Sequence, residues 1–161
     1  MTAAGTRRAA LGSAAAFAVF ATALGGALGA CGPAAPTPAA PSASAAAAPP
    51  AKLVQLNAPG AAVDVLAALP AGYVTVVDFW SVTCEPCKTF GAMLEAGVAE
   101  EPRVVIRKVD VGDGDTPAAA AYKIGALPHF FVYDKLRRLR YDLVGPDCGQ
   151  ASTFARQLAS E

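Results

Sequence analysis

Tyr73 to Trp80 reads Tyr-Val-Thr-Val-Val-Asp-Phe-Trp, and four residues later the chain presents Cys84-Glu85-Pro86-Cys87. A near-continuous β-branched and aromatic run is the pattern of a strand covered on both faces. It demands layers above and below a sheet, which excludes an all-helical fold and a sheet with one wet face. Residues 85–99 then carry Phe90, Met93, Leu94 and Val98 at helical spacing, with Pro102 beyond the end. The two cysteines therefore fall in the first turn of a helix that follows a buried strand. A helix N-terminus offers free N–H groups and the positive end of the dipole, which favour a thiolate. Cys84 is expected at the surface as the attacking sulfur. Cys87, one turn further in, is expected to be buried as the resolving thiol, close enough for a disulfide that opens and closes.

The flanking segments follow the same logic. Leu53–Leu56 and Ala61–Leu69 read as a leading strand and helix, and Val104–Val109 as a second buried strand. Asp115-Thr116-Pro117 caps a short Ala-rich helix, with proline tolerated in the first turn. His129–Tyr133 and Arg138–Val144 form two more strands around a turn near residues 134–137. Gln150–Ala159 is a last helix, with Phe154 and Leu158 on one face. The order β-α-β-α-β-α-β-β-α gives an α/β fold with a mixed sheet. Its first half is parallel, its end is an antiparallel hairpin, and helices cover both faces. Lys135, Arg137, Arg138 and Arg140 read as a solvated face of that hairpin.

Three separated motifs, Val77-Asp78-Phe79-Trp80, Cys84-Glu85-Pro86-Cys87-Lys88 and Ala126-Leu127-Pro128, resemble the thioredoxin family. The resemblance runs over residues 53–161 in element order and implies the thioredoxin fold and thiol–disulfide exchange without a cofactor. It implies that Pro128 is cis and opposite Cys84, and that the backbone of Leu127 pairs with a substrate chain. Asp78 matches a buried carboxylate that accepts the proton of Cys87. Lys108 matches a lysine beside that carboxylate, and Gly145 a glycine lining the substrate groove. Trp80 divides between core packing and a wall of the site. An unpaired buried carboxylate is costly, so Asp78 calls for a role or a partner in any reading.

Departures from the family pattern bear on specificity. Thr83 stands where thioredoxins usually carry Trp, and Glu85 where they carry Gly. Cys-Glu-Pro-Cys resembles extracytoplasmic, membrane-tethered reductases of cytochrome c maturation, although the insertion those proteins carry before the cis-proline is missing here. Glu85 and His129, which follows Pro128, are candidates for tuning Cys84. Cys148, in Gly145-Pro146-Asp147-Cys148-Gly149, reads either as an inert thiol or as a third redox thiol.

Residues 1–30 hold Arg7 and Arg8 followed by an uncharged apolar stretch from Leu11 to Ala30. That is the layout of an export signal. Leu28-Gly29-Ala30-Cys31 resembles a bacterial lipobox, which implies cleavage before Cys31 and a lipid on its sulfur. Residues 31–52 are nearly all Ala, Pro, Ser and Thr after Cys31, and form a tether without an apolar face. At roughly 3.1 Å per residue it reaches about 60 Å. Residues 53–161 are the folded domain. The expected location is the bacterial cell envelope, as a membrane-anchored lipoprotein facing the periplasm or the cell exterior. The expected partners are disulfide or dithiol proteins and a membrane electron donor, with the chain itself a monomer.

The 161 residues carry 13 Lys+Arg and 13 Asp+Glu, a balance that gives no electrostatic reason to bind nucleic acid. Two other function classes use the same residues. A metal-binding module would recruit Cys84, Cys87, His129 and Cys148, since Cys and His form zinc sites, but would leave Asp78 and Pro128 without a task. A binding or chaperone module would keep the scaffold and make the disulfide structural.

Overall fold

The computed structural model describes residues 48–161. The expected signal segment, Cys31 and the tether through residue 47 lie outside the described residues. Five strands form one sheet: β1 (Leu53–Gln55), β2 (Val74–Trp80), β3 (Val104–Asp110), β4 (His129–Tyr133) and β5 (Leu139–Val144). Their order across the sheet is β1-β3-β2-β4-β5. The first three run parallel, and β4 and β5 are antiparallel. Helices α1 (Glu85–Gly97), α2 (Pro117–Tyr122) and α3 (Ala151–Ser160) complete the fold. No described helix is long and apolar enough to cross a membrane.

Side-chain alternation along the strands builds two cores. Val74 and Val76 of β2, Val104 and Ile106 of β3, and Phe130 and Val132 of β4 face α1 and α3. Val77, Phe79, Val109, Phe131 and Tyr133 face the other way, against Val65, Leu69 and Ala118 of α2. Each such side chain, fully buried, contributes about 1.5–3 kcal/mol. The same parity puts Asp78 and Lys108 on the α1 side, directly opposite each other in the β2–β3 register.

Four expectations change. Ala61–Leu69 is not a helix; only a 3-10 turn at Leu66–Ala68 forms. Side chains take the backbone groups that a helix would need. Asn57 Nδ2 donates to the Ala61 carbonyl, the Tyr122 hydroxyl donates to the Val63 carbonyl, and the Val65 N–H donates to the Tyr122 oxygen. Met93 is 53% exposed, and the buried face of α1 runs instead through Cys87, Gly91 and Leu94 to Val98 at its C-cap. A second 3-10 turn, Gly145–Gln150, precedes α3 and carries Cys148 into the core. Finally, Arg138 and Arg140 are not merely solvated, because both reach the buried Asp134.

Candidate functional site

Strand β2 ends at Trp80, the chain turns through Ser81–Thr83, and Cys84 becomes the N-cap of α1 with Pro86 in the first turn. The Cys87 N–H donates to Cys84 Sγ over 3.2 Å, as a serine hydroxyl would accept at this position. Cys84 and Cys87 form a disulfide with sulfurs 2.06 Å apart and Cα atoms 5.3 Å apart. Cys84 is half-buried, whereas Cys87 is 1% exposed. An asymmetric pair of this kind presents one sulfur to an incoming disulfide and holds the other in reserve.

Behind α1 lies a charged pair. Lys108 Nζ sits 2.9 Å from Asp78 Oδ2 and 3.6 Å from Glu95 Oε1. Asp78 is 1% exposed, and its Oδ1 has no hydrogen-bond partner among the described residues. Burial pushes the Asp78 carboxyl above its ordinary range; Lys108 pulls it back, and Glu95 adds to the upward push. Gly91 leaves the space for this group, since a Cβ there would lie 3.3 Å from Asp78 Oδ2 and 3.4 Å from Lys108 Nζ. The Lys108 ammonium also stands 5.1 Å from the Trp80 ring centroid, and Trp80 Nε1 donates to Gln55 Oε1.

The remaining candidates divide. The Leu127–Pro128 peptide is cis, and the Pro128 carbonyl accepts the Gly145 N–H at 2.9 Å. Gly145 has φ +58°, a left-handed conformation that favours glycine. A groove of about 470 Å³ joins Cys84 to Leu127, floored by Val111 and Ile124. Trp80, Pro128 and Gly145 do not line it. Glu85 Oε1 lies 2.5 Å from Lys88 Nζ, so its charge is met by a cation and not left facing Cys84 alone. His129 makes no hydrogen bond to Cys84. Its Nε2 meets Asp142 Oδ1 at 2.5 Å, and its ring stands edge-on to Phe79 and Phe131.

Cys148 is buried, its thiol donates to the Leu143 carbonyl at 3.3 Å, and burial pushes its pKa up to about 12. A thiol that stays protonated is a poor nucleophile. Among the described residues, no group of three or more His, Cys, Asp and Glu side chains converges on a metal-sized point. Sequence reasoning missed Glu95, Gly91 and the Gly112-Asp113-Gly114-Asp115 loop on the groove wall. The loop's alternating glycines mark a turn; Glu95 and Gly91 carry no local signal.

The thioredoxin family model matches residues 66–153. The chain belongs to the thioredoxin family. Thioredoxin of Mycoplasma pneumoniae is 40% identical over 60 residues, covering 37% of this chain and 58% of that protein. Thioredoxin of Chlamydia trachomatis is 35% identical over 63 residues, 39% of this chain and 61% of its own. The chain thus spans less than two thirds of the length of these curated relatives. Among solved structures, reduced Schistosoma mansoni thioredoxin pre-protein superposes with a TM-score of 0.53 at 26% identity, covering 67% of this chain and 99% of that one. Trichomonas vaginalis thioredoxin gives 0.53 at 25% identity, covering 66% and 96%. The five-stranded mixed sheet is therefore a thioredoxin fold.

Proposed function

We propose that the domain is a thiol–disulfide oxidoreductase that reduces protein disulfides by exchange at Cys84 and Cys87. The observation that carries this reading is the asymmetry of the pair. Cys84 stands half-exposed at the N-cap of α1 with an amide aimed at its sulfur, and Cys87 is shielded one turn behind. In the dithiol form, the Cys84 thiolate attacks a substrate sulfur and forms a mixed disulfide, and the other substrate sulfur leaves as a thiolate. Cys87 then attacks Cys84 Sγ, the second substrate thiolate departs, and the pair ends oxidised. Asp78, buried and biased toward its protonated form, is the proton acceptor for Cys87 in this scheme, with Lys108 as its counter-ion. The backbone of Leu127, beside Cys84 in the groove, is the proposed edge for the substrate chain, next to the cis Pro128 and Gly145.

The same proposal places the domain outside the cytoplasm on a lipid at Cys31, and makes it a reductant. A first-turn carboxylate, Glu85, works against a strongly stabilised thiolate, although Lys88 offsets part of its field. The potential expected is near that of thioredoxin, roughly −270 mV, and a value above about −180 mV would contradict the direction. Insulin reduction by the full chain tests the chemistry. Cys84→Ser should abolish turnover, and Cys87→Ser should accumulate mixed disulfides through Cys84. Adducts forming instead through Cys148 would overturn the assignment. Cys31→Ser should leave an unprocessed chain that no longer partitions with membranes.

A further inference from the structure

The groove that reaches Cys84 carries charge of one sign. Asp113 and Asp115 belong to its wall, and no Lys or Arg does; Lys123 lines an adjoining hollow that Asp115 also borders. Asp113 is held in place by a hydrogen-bonded chain. Thr83 Oγ1 donates to Asp113 Oδ1 at 2.6 Å, and Ser81 Oγ lies 3.0 Å from Thr83 Oγ1. Thr83 is the residue immediately before the exposed cysteine, so the carboxylate is tied to the backbone that presents the sulfur. Gly112 at φ +65° and Gly114 at φ +77° shape the loop that carries both aspartates. The other carboxylate near Cys84, Glu85, is met by Lys88.

We infer that Asp113 and Asp115 are specificity-determining residues that bias the exchange site toward disulfides flanked by positive charge. The inference rests on the exchange reading above. Both carboxylates are exposed at the mouth of the groove, so a cation beside the target disulfide gains the modest, salt-screened attraction of exposed pairs. An anionic disulfide meets the same field with the opposite sign, and meets it again in the Cys84 thiolate.

Single-turnover oxidation of the pre-reduced full chain tests this with three small disulfides: dicationic cystamine, neutral bis(2-hydroxyethyl) disulfide and dianionic dithiodipropionate. Each rate is normalised to the neutral compound and then compared between variant and wild type, so that leaving-group differences cancel. The double variant Asp113→Asn with Asp115→Asn should lower the normalised cystamine rate roughly three- to tenfold, the scale of one or two exposed charge pairs, and raise that of dithiodipropionate. Thr83→Val, which frees Asp113 and keeps its charge, should lower the cystamine preference by a smaller factor. Wild-type preference for cystamine should also shrink as ionic strength rises from about 0.01 to 1 M, since the screening length falls from about 30 to 3 Å. Normalised rates that do not move with the aspartates or with salt would overturn the charge bias while leaving exchange intact. A pre-reduced wild-type chain that is oxidised by none of the three, matching Cys84→Ser, would overturn both.

Discussion

Two aspartates in this domain are almost equally buried and titrate in opposite directions. Asp78 is 1% exposed and Asp134 5%. Asp134 closes the β4–β5 turn: its Oδ1 accepts the N–H groups of Leu136 and Arg138, and its Oδ2 accepts Arg138 Nε at 2.8 Å. Burial would push its carboxyl up, but those hydrogen bonds and the Arg138 charge bring it down to about 2. Asp78 has one cation, shared with Glu95, and an Oδ1 without a partner, so burial wins and its carboxyl rises. Burial alone therefore does not set the charge state. The number of donors does. The well-supplied carboxylate is a latch; the undersupplied one is poised to take a proton.

The largest effect should come from removing the poised group. Asp78→Asn should slow reduction of insulin roughly a hundredfold at pH 7, the lower end of the range for a lost general base. Stability should move the other way. A carboxyl raised by folding contributes stability that is complete below its unfolded value and lost as pH rises through the folded one. Urea midpoints measured from pH 4 to 9 should accordingly show Asp78→Asn overtaking the wild type toward the alkaline end. A variant that is both slow and less stable at pH 9 would make Asp78 a structural residue like Asp134.

Asp134→Asn is the converse experiment. It loses a charge-assisted clasp on a turn and should cost about 1–3 kcal/mol of stability, while the exchange rate changes little. Because folding depresses this carboxyl, its contribution is full above about pH 4, the unfolded value, and lost as pH falls through about 2. The wild type should therefore lose stability between those limits by more than the variant does. Parallel acid titrations of the two chains would deny Asp134 that role.

The difference between the two aspartates also marks what the sequence could reveal. The buried strands β2, β3 and β4 were legible because each carries its own run of β-branched and aromatic residues, and so was the placing of both cysteines at the start of α1. The Asp134 turn was visible as a turn, but its clasp on Arg138 was not, and the arginines read as solvated. Non-local bonds hid the rest. Tyr122 reaches back 57 residues to the Val65 N–H, so Ala61–Leu69, helical by composition, is held open. Thr83 and Asp113 stand 30 residues apart. Cys148 read either as an inert or as a third redox thiol, and only the 3-10 turn, with Gly149 set close to the Phe90 ring, shows the thiol enclosed.

Glu95 gives the smallest and sharpest test. It stands about two turns beyond Cys87 along α1, its side chain 45% exposed, and shares Lys108 with Asp78 across the space that Gly91 leaves open. Exposed carboxylates couple weakly, so Glu95→Gln should change the insulin-reduction rate at pH 7 by less than about threefold. Its direction is nevertheless fixed. Removing a negative charge frees Lys108 to serve Asp78 alone and withdraws one of the two influences that hold the Asp78 carboxyl up. The acidic limb of the pH–rate profile for resolution of the mixed disulfide should shift to lower pH. Asp78→Asn should erase that limb, and Glu95→Gln in the Asp78→Asn background should then do nothing further. A shift that survives the loss of Asp78 would mean that Glu95 acts on some other group, and the contrast between a latched and a poised aspartate would no longer rest on Lys108 being shared.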